Sequence, residues 1–201
     1  MEQIEQITDP RALIQLNSPY IVFYNNVSNL LSEEIDWKTN IKGIKPQSHA
    51  MLSINPGKFV AQNMSIFNGY SEVPMEKYMI PGSQLTFITF VNNNPAFYNA
   101  FTKSVQKRLT APWWQTQYDF LGVFGQLINQ DWLHTPGLRY CSVDVIRHMV
   151  NACPELPKAD QLCINSIRPE TNPEVLYDVT LQYDNVFNQF ARYTYEKEVN
   201  P

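Results

Sequence analysis

The chain has no long apolar run, no strongly basic run and no close pair of cysteines, and each absence excludes a class of protein. The apolar stretches fall well short of the roughly 20 residues that a membrane-spanning helix needs, so we expect no membrane span. Residues 1–5 are acidic and lack an apolar core, which predicts that there is no secretory signal. The net charge of −4 argues against a nucleic-acid partner.

Cysteines are few, and they stand far apart at Cys141, Cys153 and Cys163. Their odd number and their spacing favour neither a disulfide framework nor a zinc site. A reducing compartment is the simpler interpretation. We therefore expect the protein in the cytoplasm, or carried inside a larger particle such as a virion.

A length of 201 residues and an apolar fraction of 44% suit one domain with a sizeable core. No repeat, low-complexity tract or linker divides the chain, so the sequence predicts a single domain over residues 1–201. Residues 1–19 are expected to form an N-terminal extension with a short helix from Pro10 to Leu16. Residues 20–183 form the core, and residues 184–201 are expected to form an amphipathic C-terminal helix.

Both strands and helices are predicted along the core, which indicates the α+β class. The expected strands are residues 20–24, 48–54, 59–62 and 85–91. The expected helices are residues 95–109, 118–128 and a segment that begins at Cys141 and ends near Pro154. Residues 154–173 are expected to be a loop, and residues 175–183 either a strand or a helix followed by a strand.

Two of the predicted strands form a β-hairpin around Pro56-Gly57, a dipeptide typical of a type II turn. If Ile54 pairs with Phe59, then Met51 lies opposite Gln62. The side chain of Gln62 then shares a face with that of His49, because side chains alternate along a strand. Diagonal neighbours lie roughly 7–8 Å apart at Cα, so the amide could reach the imidazole. A slip of one residue would remove this contact.

Cys141 opens a segment in which Val143, Ile146 and Val150 recur at helical spacing. A thiol at the start of a helix is close to the positive end of the helix dipole, which favours the thiolate. A thiolate is a good nucleophile, and we expect Cys141 to react with iodoacetamide faster than the other two cysteines. The alternative interpretation is a buried, inert cysteine.

Cysteine catalysis requires a thiolate, a base and a group that orients the base. The sequence offers Cys141 at a helix start, His49 on a strand and Gln62 on the partner strand. His148 lies two turns further along the Cys141 helix, too far for its ring to reach the thiol easily. His134, in a loop before Cys141, is a minor candidate for the base. Cys153 and Cys163 are interpreted as structural.

These segments, in this order, resemble the circularly permuted branch of the papain-like NlpC-type superfamily, which contains YiiX-like and lecithin–retinol acyltransferase-like hydrolases. Two departures from the pattern are Ser18-Pro19 in place of Gly-Asp and Gln62 in place of a charged or histidine third member. The matching segments are the opening strand at 20–24, residues 28–32 and 35–39, the Ser-His strand at 48–54, the next strand at 59–62, the Tyr-Asp segment at 118–122 and Tyr-Cys-Ser at 140–142.

The resemblance implies a papain-like fold, with a small antiparallel sheet packed against helices and the Cys helix C-terminal to the His strand. It implies that Cys141 is the nucleophile, His49 the general base and then acid, and Gln62 the orienting residue, without metal or cofactor. The backbone N–H of Cys141 would help to hold an oxyanion. Further candidates for oxyanion or substrate contacts are Tyr20, Tyr24, Trp113, Trp114 and Tyr140.

The implied activity is cleavage of an amide bond through a thioester. A peptidase or amidase acting on peptidoglycan-type peptide, such as one carried by a bacteriophage, is the first hypothesis. The alternative is a non-catalytic structural or interaction protein that keeps the fold within a larger assembly. The third is a lipid acyltransferase or thioesterase, with an apolar tunnel lined by Trp113, Trp114 and Phe120. An open groove would favour a peptide, and a closed apolar pocket a lipid.

Overall fold

The computed structural model describes residues 5–6, 19–26, 47–55, 57–62, 69–92, 94–127, 139–169 and 171–195. Across these residues the fold is α+β, as the sequence predicts, with helices packed on one largely antiparallel sheet. Three predictions fall outside the described residues: the helix at 10–16, the segments at 28–32 and 35–39 that resemble the hydrolase family, and the loop that carries His134.

The sheet has seven strands within the described ranges, so it is larger than the small sheet expected. Strands at all four predicted positions are confirmed. The spatial order is β1-β7-β6-β2-β3-β4-β5, and only the short β1–β7 pairing is parallel. The strands are β1 (Glu5–Gln6), β2 (Tyr20–Asn26), β3 (His49–Asn55), β4 (Lys58–Gln62), β5 (Tyr70–Pro74), β6 (Ser83–Phe90) and β7 (Phe187–Thr194).

Five α-helices lie within the described residues: α1 (Pro95–Leu109), α2 (Phe120–Leu127), α3 (Cys141–Ala152), α4 (Lys158–Ser166) and α5 (Pro173–Gln182). The first three occupy the segments predicted to be helical. Asn94 caps α1 by accepting a hydrogen bond from the N–H of Phe97, with proline at the first helical position. Short 3₁₀ helices cover Met75–Tyr78, Trp113–Gln115 and Cys153–Glu155.

The C-terminal third of the chain differs from the sequence prediction. The expected loop at 154–173 contains α4, and residues 175–182 belong to α5, so the helical part of the second alternative is right and no strand lies within the described residues 175–183. Asn172 and Pro173 start α5 in the same way as Asn94 and Pro95 start α1, since the Asn172 side chain accepts from the N–H of Val175. The expected C-terminal helix is wrong over residues 187–194, which pair with β6 as strand β7.

Both faces of the sheet centre are buried. One face, the helix-covered face, packs against α1, α3 and α5 and forms a core that includes Leu52 and Val60. The opposite face carries Met51, Phe59 and Ala61 in a second apolar cluster. Because successive strand residues point to opposite faces, His49 lies on the same face as Met51. We call this face of the sheet the histidine face. When both faces are apolar, hydrophobic alternation no longer indicates the pairing register.

The β3–β4 hairpin forms at the predicted turn, where Gly57 adopts a φ of 68°, a conformation that favours glycine. Beside the turn, the pairing of Asn55 with Lys58 keeps the predicted register, but farther along the strands the register differs from the prediction by one residue. Leu52 pairs with Val60, and an irregularity lies between this pair and the pairing of Asn55 with Lys58. Gln62 therefore shares the helix-covered face with Val60, and the expectation that it faces the same way as His49 is wrong.

Candidate active site

Cys141 is the first residue of α3, as the sequence predicts. The helix begins there because Tyr140, the residue before it, has an extended backbone with φ −111° and ψ 176°. Ile146 and Met149 are fully buried on the same helix and anchor it against the sheet core. The side chain of Cys141 is itself only 4% exposed.

Two opposing influences act on the Cys141 thiol. Burial raises its pKa to about 11, because a thiolate is poorly solvated in the protein interior. The backbone N–H of Ala50 hydrogen-bonds to the sulfur and, with the N–H groups of Ser142 and Cys141, acts to lower the pKa, but together they do not offset the burial. The thiolate expected from the helix start is therefore not the resting state, and the sulfur carries its proton at neutral pH.

His49 is the first residue of β3 and pairs with Tyr24 of β2. Its ring stacks on that of Tyr78, with centroids 6.0 Å apart and an interplanar angle of 28°. Burial lowers the pKa of His49 to about 4, and the positive charge of Lys77 acts in the same direction. His49 is thus neutral at pH 7, the state in which an imidazole can accept a proton.

Ala50 and Tyr78 are neighbours of both the thiol and the histidine. Ala50 follows His49 along β3, and its backbone N–H donates to the sulfur of Cys141. Tyr78 stacks on His49, and negative charge at Cys141 adds to the burial that raises the pKa of its phenol. Sequence reasoning missed Tyr78, because its contact with His49 joins segments that are distant in the chain and no local pattern marks it.

Gln62 occupies a different environment from the one that the sequence predicts. Its Nε2 donates to the carbonyl oxygen of Thr116 at 2.8 Å, and its Oε1 lies 3.4 Å from Nη2 of Arg108, which donates to it. It is almost fully buried on the helix-covered face. The expectation that Gln62 orients His49 is therefore wrong. Gln62 instead holds the segment before α2, and the residue next to it in β4, Ala61, lies on the face of the sheet that carries His49.

A buried ion-pair network lies one helical turn after Cys141. Oδ1 of Asp144 is 2.9 Å from Nη1 of Arg139 and 3.3 Å from Nε of Arg108. Burial raises the pKa of Asp144 above its usual value, although both guanidinium groups act against this shift. The network ties α3 to α1 and to the residues before Cys141.

His148 lies in a separate polar cluster. Its Nε2 is 2.8 Å from the hydroxyl of Tyr70, and its Nδ1 is 2.8 Å from that of Ser104. Burial, together with the charges of Arg139 and Arg108, lowers the pKa of His148 to about 3. Both of its ring nitrogens are engaged away from the thiol, in agreement with the expectation that it does not serve Cys141.

The remaining candidate residues divide into two groups. Tyr20 and Tyr24 are buried on the histidine face of the sheet, and Tyr140 is buried where α3 begins. Trp113 and Trp114 are 52% and 58% exposed, with their rings edge to face at 6.2 Å, so they present an aromatic surface to solvent. Phe120 is exposed nearby in sequence, and its ring lies 5.1 Å from that of Tyr118.

Across the ranges that the structure describes, no three histidine, cysteine or acidic side chains are grouped so as to hold a metal ion. No helix among these residues is both long and apolar enough to cross a membrane.

No protein-family model matches the chain, and comparison with curated proteins finds no match. The relation to permuted NlpC-type hydrolases therefore remains a prediction from the motifs in the sequence.

Proposed function

We propose that the protein is a papain-like cysteine hydrolase that cleaves an amide bond, with Cys141 as the nucleophile and His49 as the general base. The observation that carries the proposal is the hydrogen bond from the N–H of Ala50 to the Cys141 sulfur. It joins the first turn of α3 to the strand residue that follows His49. The order of the parts along the chain, with the histidine strand before the cysteine helix, supports the same assignment.

The raised pKa of Cys141 and the lowered pKa of His49 determine the form of the mechanism. Both groups are neutral at rest, so proton transfer accompanies attack instead of preceding it. The sulfur attacks the carbonyl carbon while its proton moves to the imidazole, and the carbonyl π electrons move to oxygen. The backbone N–H groups at the start of α3 can hold that oxyanion.

Collapse of the tetrahedral intermediate completes the first half of the reaction. The C–N bond breaks, and the departing nitrogen takes the proton from the His49 imidazolium, which leaves a thioester on Cys141. Water then attacks the thioester, giving one proton to His49, and the C–S bond breaks. The carboxylic acid leaves and the proton returns to the sulfur. A peptidoglycan-type peptide is the proposed substrate class, and the proposed location is the cytoplasm or a larger particle.

Acylation by an activated ester, such as the p-nitrophenyl ester of N-acetylalanine, tests the proposal by intact-mass spectrometry. We expect a fast acyl adduct on Cys141, located by peptide mapping, that Cys141→Ala does not form. His49→Ala should slow acylation by about 100-fold or more, because the base is lost. Cys163→Ser is the matched control and should behave as the wild type. An unchanged rate of acylation in Cys141→Ala, or an unchanged rate at Cys141 in His49→Ala, would overturn the assignment.

A non-catalytic role in a larger assembly is the second candidate function. Two observations favour it. Cys141 is hardly exposed, and β4 has on the histidine face Ala61, a residue whose side chain cannot orient an imidazole by a hydrogen bond. In that case Cys141 forms no adduct in the native protein, although it is acylated after denaturation. Peptidoglycan fragments and phospholipid vesicles are offered in parallel as substrates. Cleavage of the peptide indicates an amidase, and transfer of an acyl chain from the phospholipid indicates a lipid acyltransferase.

A further inference from the structure

We propose that Tyr78 is the positioning residue for His49 and holds the imidazole by ring stacking where no polar partner from β4 does so. This inference rests on the proposed function, because it concerns the orientation of the general base. It assigns to Tyr78 the part that the sequence assigns to Gln62.

The stacked geometry carries the proposal. The two centroids are 6.0 Å apart at an interplanar angle of 28°, within the range of offset stacking. Such a contact covers one face of the imidazole and occupies neither nitrogen. The ring is thereby oriented without the use of either nitrogen.

Tyr78 can orient another ring because its own ring is fixed on further sides. The ring of Tyr24 meets it edge to face at 5.0 Å, and the ring of Phe59 lies 5.8 Å away. Tyr24 is also the direct strand partner of His49. Tyr24 and Phe59 therefore pack against the Tyr78 ring that stacks on the histidine, and they restrict its rotation.

The backbone that carries Tyr78 is anchored as well. The 3₁₀ helix Met75–Tyr78 follows β5, and the N–H of Met75 donates to the carbonyl of Gly57 in the hairpin turn at 3.1 Å. Met75 is buried in the same cluster as Tyr78. At the other end, Met79 donates to the carbonyl of Glu76 at 3.1 Å. Tyr78 is thus attached to the hairpin whose first strand begins with His49.

Charge near the stack acts on the same imidazole. Nζ of Lys77 lies 5.7 Å from the Tyr78 centroid, and its positive charge opposes protonation of His49. The titratable groups that face the stack are Lys77 from the 3₁₀ helix, Tyr24 from β2 and Cys141 from α3. Removal of the Tyr78 ring would leave these groups in place and open the imidazole to water. A change in the His49 titration would then be due to the ring and not to the neighbouring titratable groups.

The test is NMR of the histidine ring signals, with His49 assigned from the spectrum of His49→Gln. In the wild type, nuclear Overhauser effects should connect the His49 and Tyr78 rings. In Tyr78→Leu, the ring-current shift of His49 should disappear, and its titration midpoint should rise from about 4 towards the roughly 6.5 of a solvated histidine. Tyr78→Phe keeps the ring and should preserve both. Tyr98→Leu removes a tyrosine ring from α1 and is the matched control.

Acylation of Cys141 gives a second readout. It should fall by about 10-fold or more in Tyr78→Leu, because a displaced base transfers protons poorly, and stay within about 2-fold in Tyr78→Phe. An unchanged His49 spectrum in Tyr78→Leu would overturn the proposal. If this variant does not fold, missing Overhauser effects in the wild type would overturn it instead.

The two hypotheses fail in different ways. If His49→Ala leaves acylation unchanged, the proposed function fails, whatever the NMR spectra show. If His49→Ala slows acylation but Tyr78→Leu does not, the function stands and the positioning role of Tyr78 is rejected.

Discussion

Nε of Arg108 lies 3.3 Å from Oδ1 of Asp144, and the two side chains are only 9% and 2% exposed. Asp144 stands in the first turn of α3, and Arg108 near the end of α1. Arg139, which shares the same carboxylate oxygen, comes two residues before Cys141. The position of Cys141 therefore depends on a charge pair in the protein interior.

Replacement of this carboxylate should be costly. Asp144→Ala leaves Arg108 buried without a counter-charge, and we expect the free energy of unfolding to fall by about 3–5 kcal/mol. Urea unfolding followed by circular dichroism measures it. The control is Lys58→Ala, which breaks an exposed ion pair with Glu72 and should cost at most about 1 kcal/mol. Equal losses in the two variants would show that the buried pair does not stabilise the fold.

Stability should fall in acid, in part through His148. The pKa of its buried ring is about 3, below the roughly 6.5 of an unfolded chain. Because the unfolded state takes up the proton first, the contribution is complete above about pH 6.5 and is lost as the pH falls towards 3. We expect the wild type to lose about 2 kcal/mol more than His148→Gln between pH 8 and pH 5, measured by urea unfolding. Parallel pH profiles of the two proteins would contradict this prediction.

Burial should also set the order of cysteine alkylation. Iodoacetamide attacks thiolates, and the raised pKa of Cys141 leaves little thiolate at pH 7.5. Cys163 is less buried, so it should be alkylated at least about 10-fold faster than Cys141 in the native protein, by peptide mass spectrometry. This reverses the order that the helix start favours. In about 8 M urea, which unfolds most small domains, the three alkylation rates should converge. If Cys141 is instead the cysteine labelled fastest in the native protein, its thiolate is activated and the prediction is wrong.

Local signals in the sequence predict the parts of the fold that depend on local chemistry. Asn94 with Pro95 marks the start of α1, and the apolar stripe after Cys141 marks α3. Pro56-Gly57 marks the hairpin turn, because Gly57 can adopt a positive φ. The position of Cys141 at a helix start follows from the same kind of local pattern.

Long-range pairing determines what the sequence does not reveal. Met51 and Leu52 are both buried, so no alternation shows which of them faces the helices, and the predicted register shifts by one residue. That shift alone removes Gln62 from the histidine. Residues 187–194 have apolar spacing that also suits a helix, and only their pairing with β6 makes them a strand. Tyr78 is undetectable for the same reason, since its partner is distant in sequence.

The hydrogen bonds of Gln62 have a consequence for the exposed tryptophans. Gln62 holds the carbonyl of Thr116, and Arg108 donates to the carbonyl of Gln115, so the short turn that carries Trp113 and Trp114 is fastened to the protein interior. Ordering a free loop costs roughly 1–2 kcal/mol per residue. Here folding has already ordered that backbone, so a molecule that docks on the two indole rings would meet a rigid platform and would keep more of its contact energy as affinity.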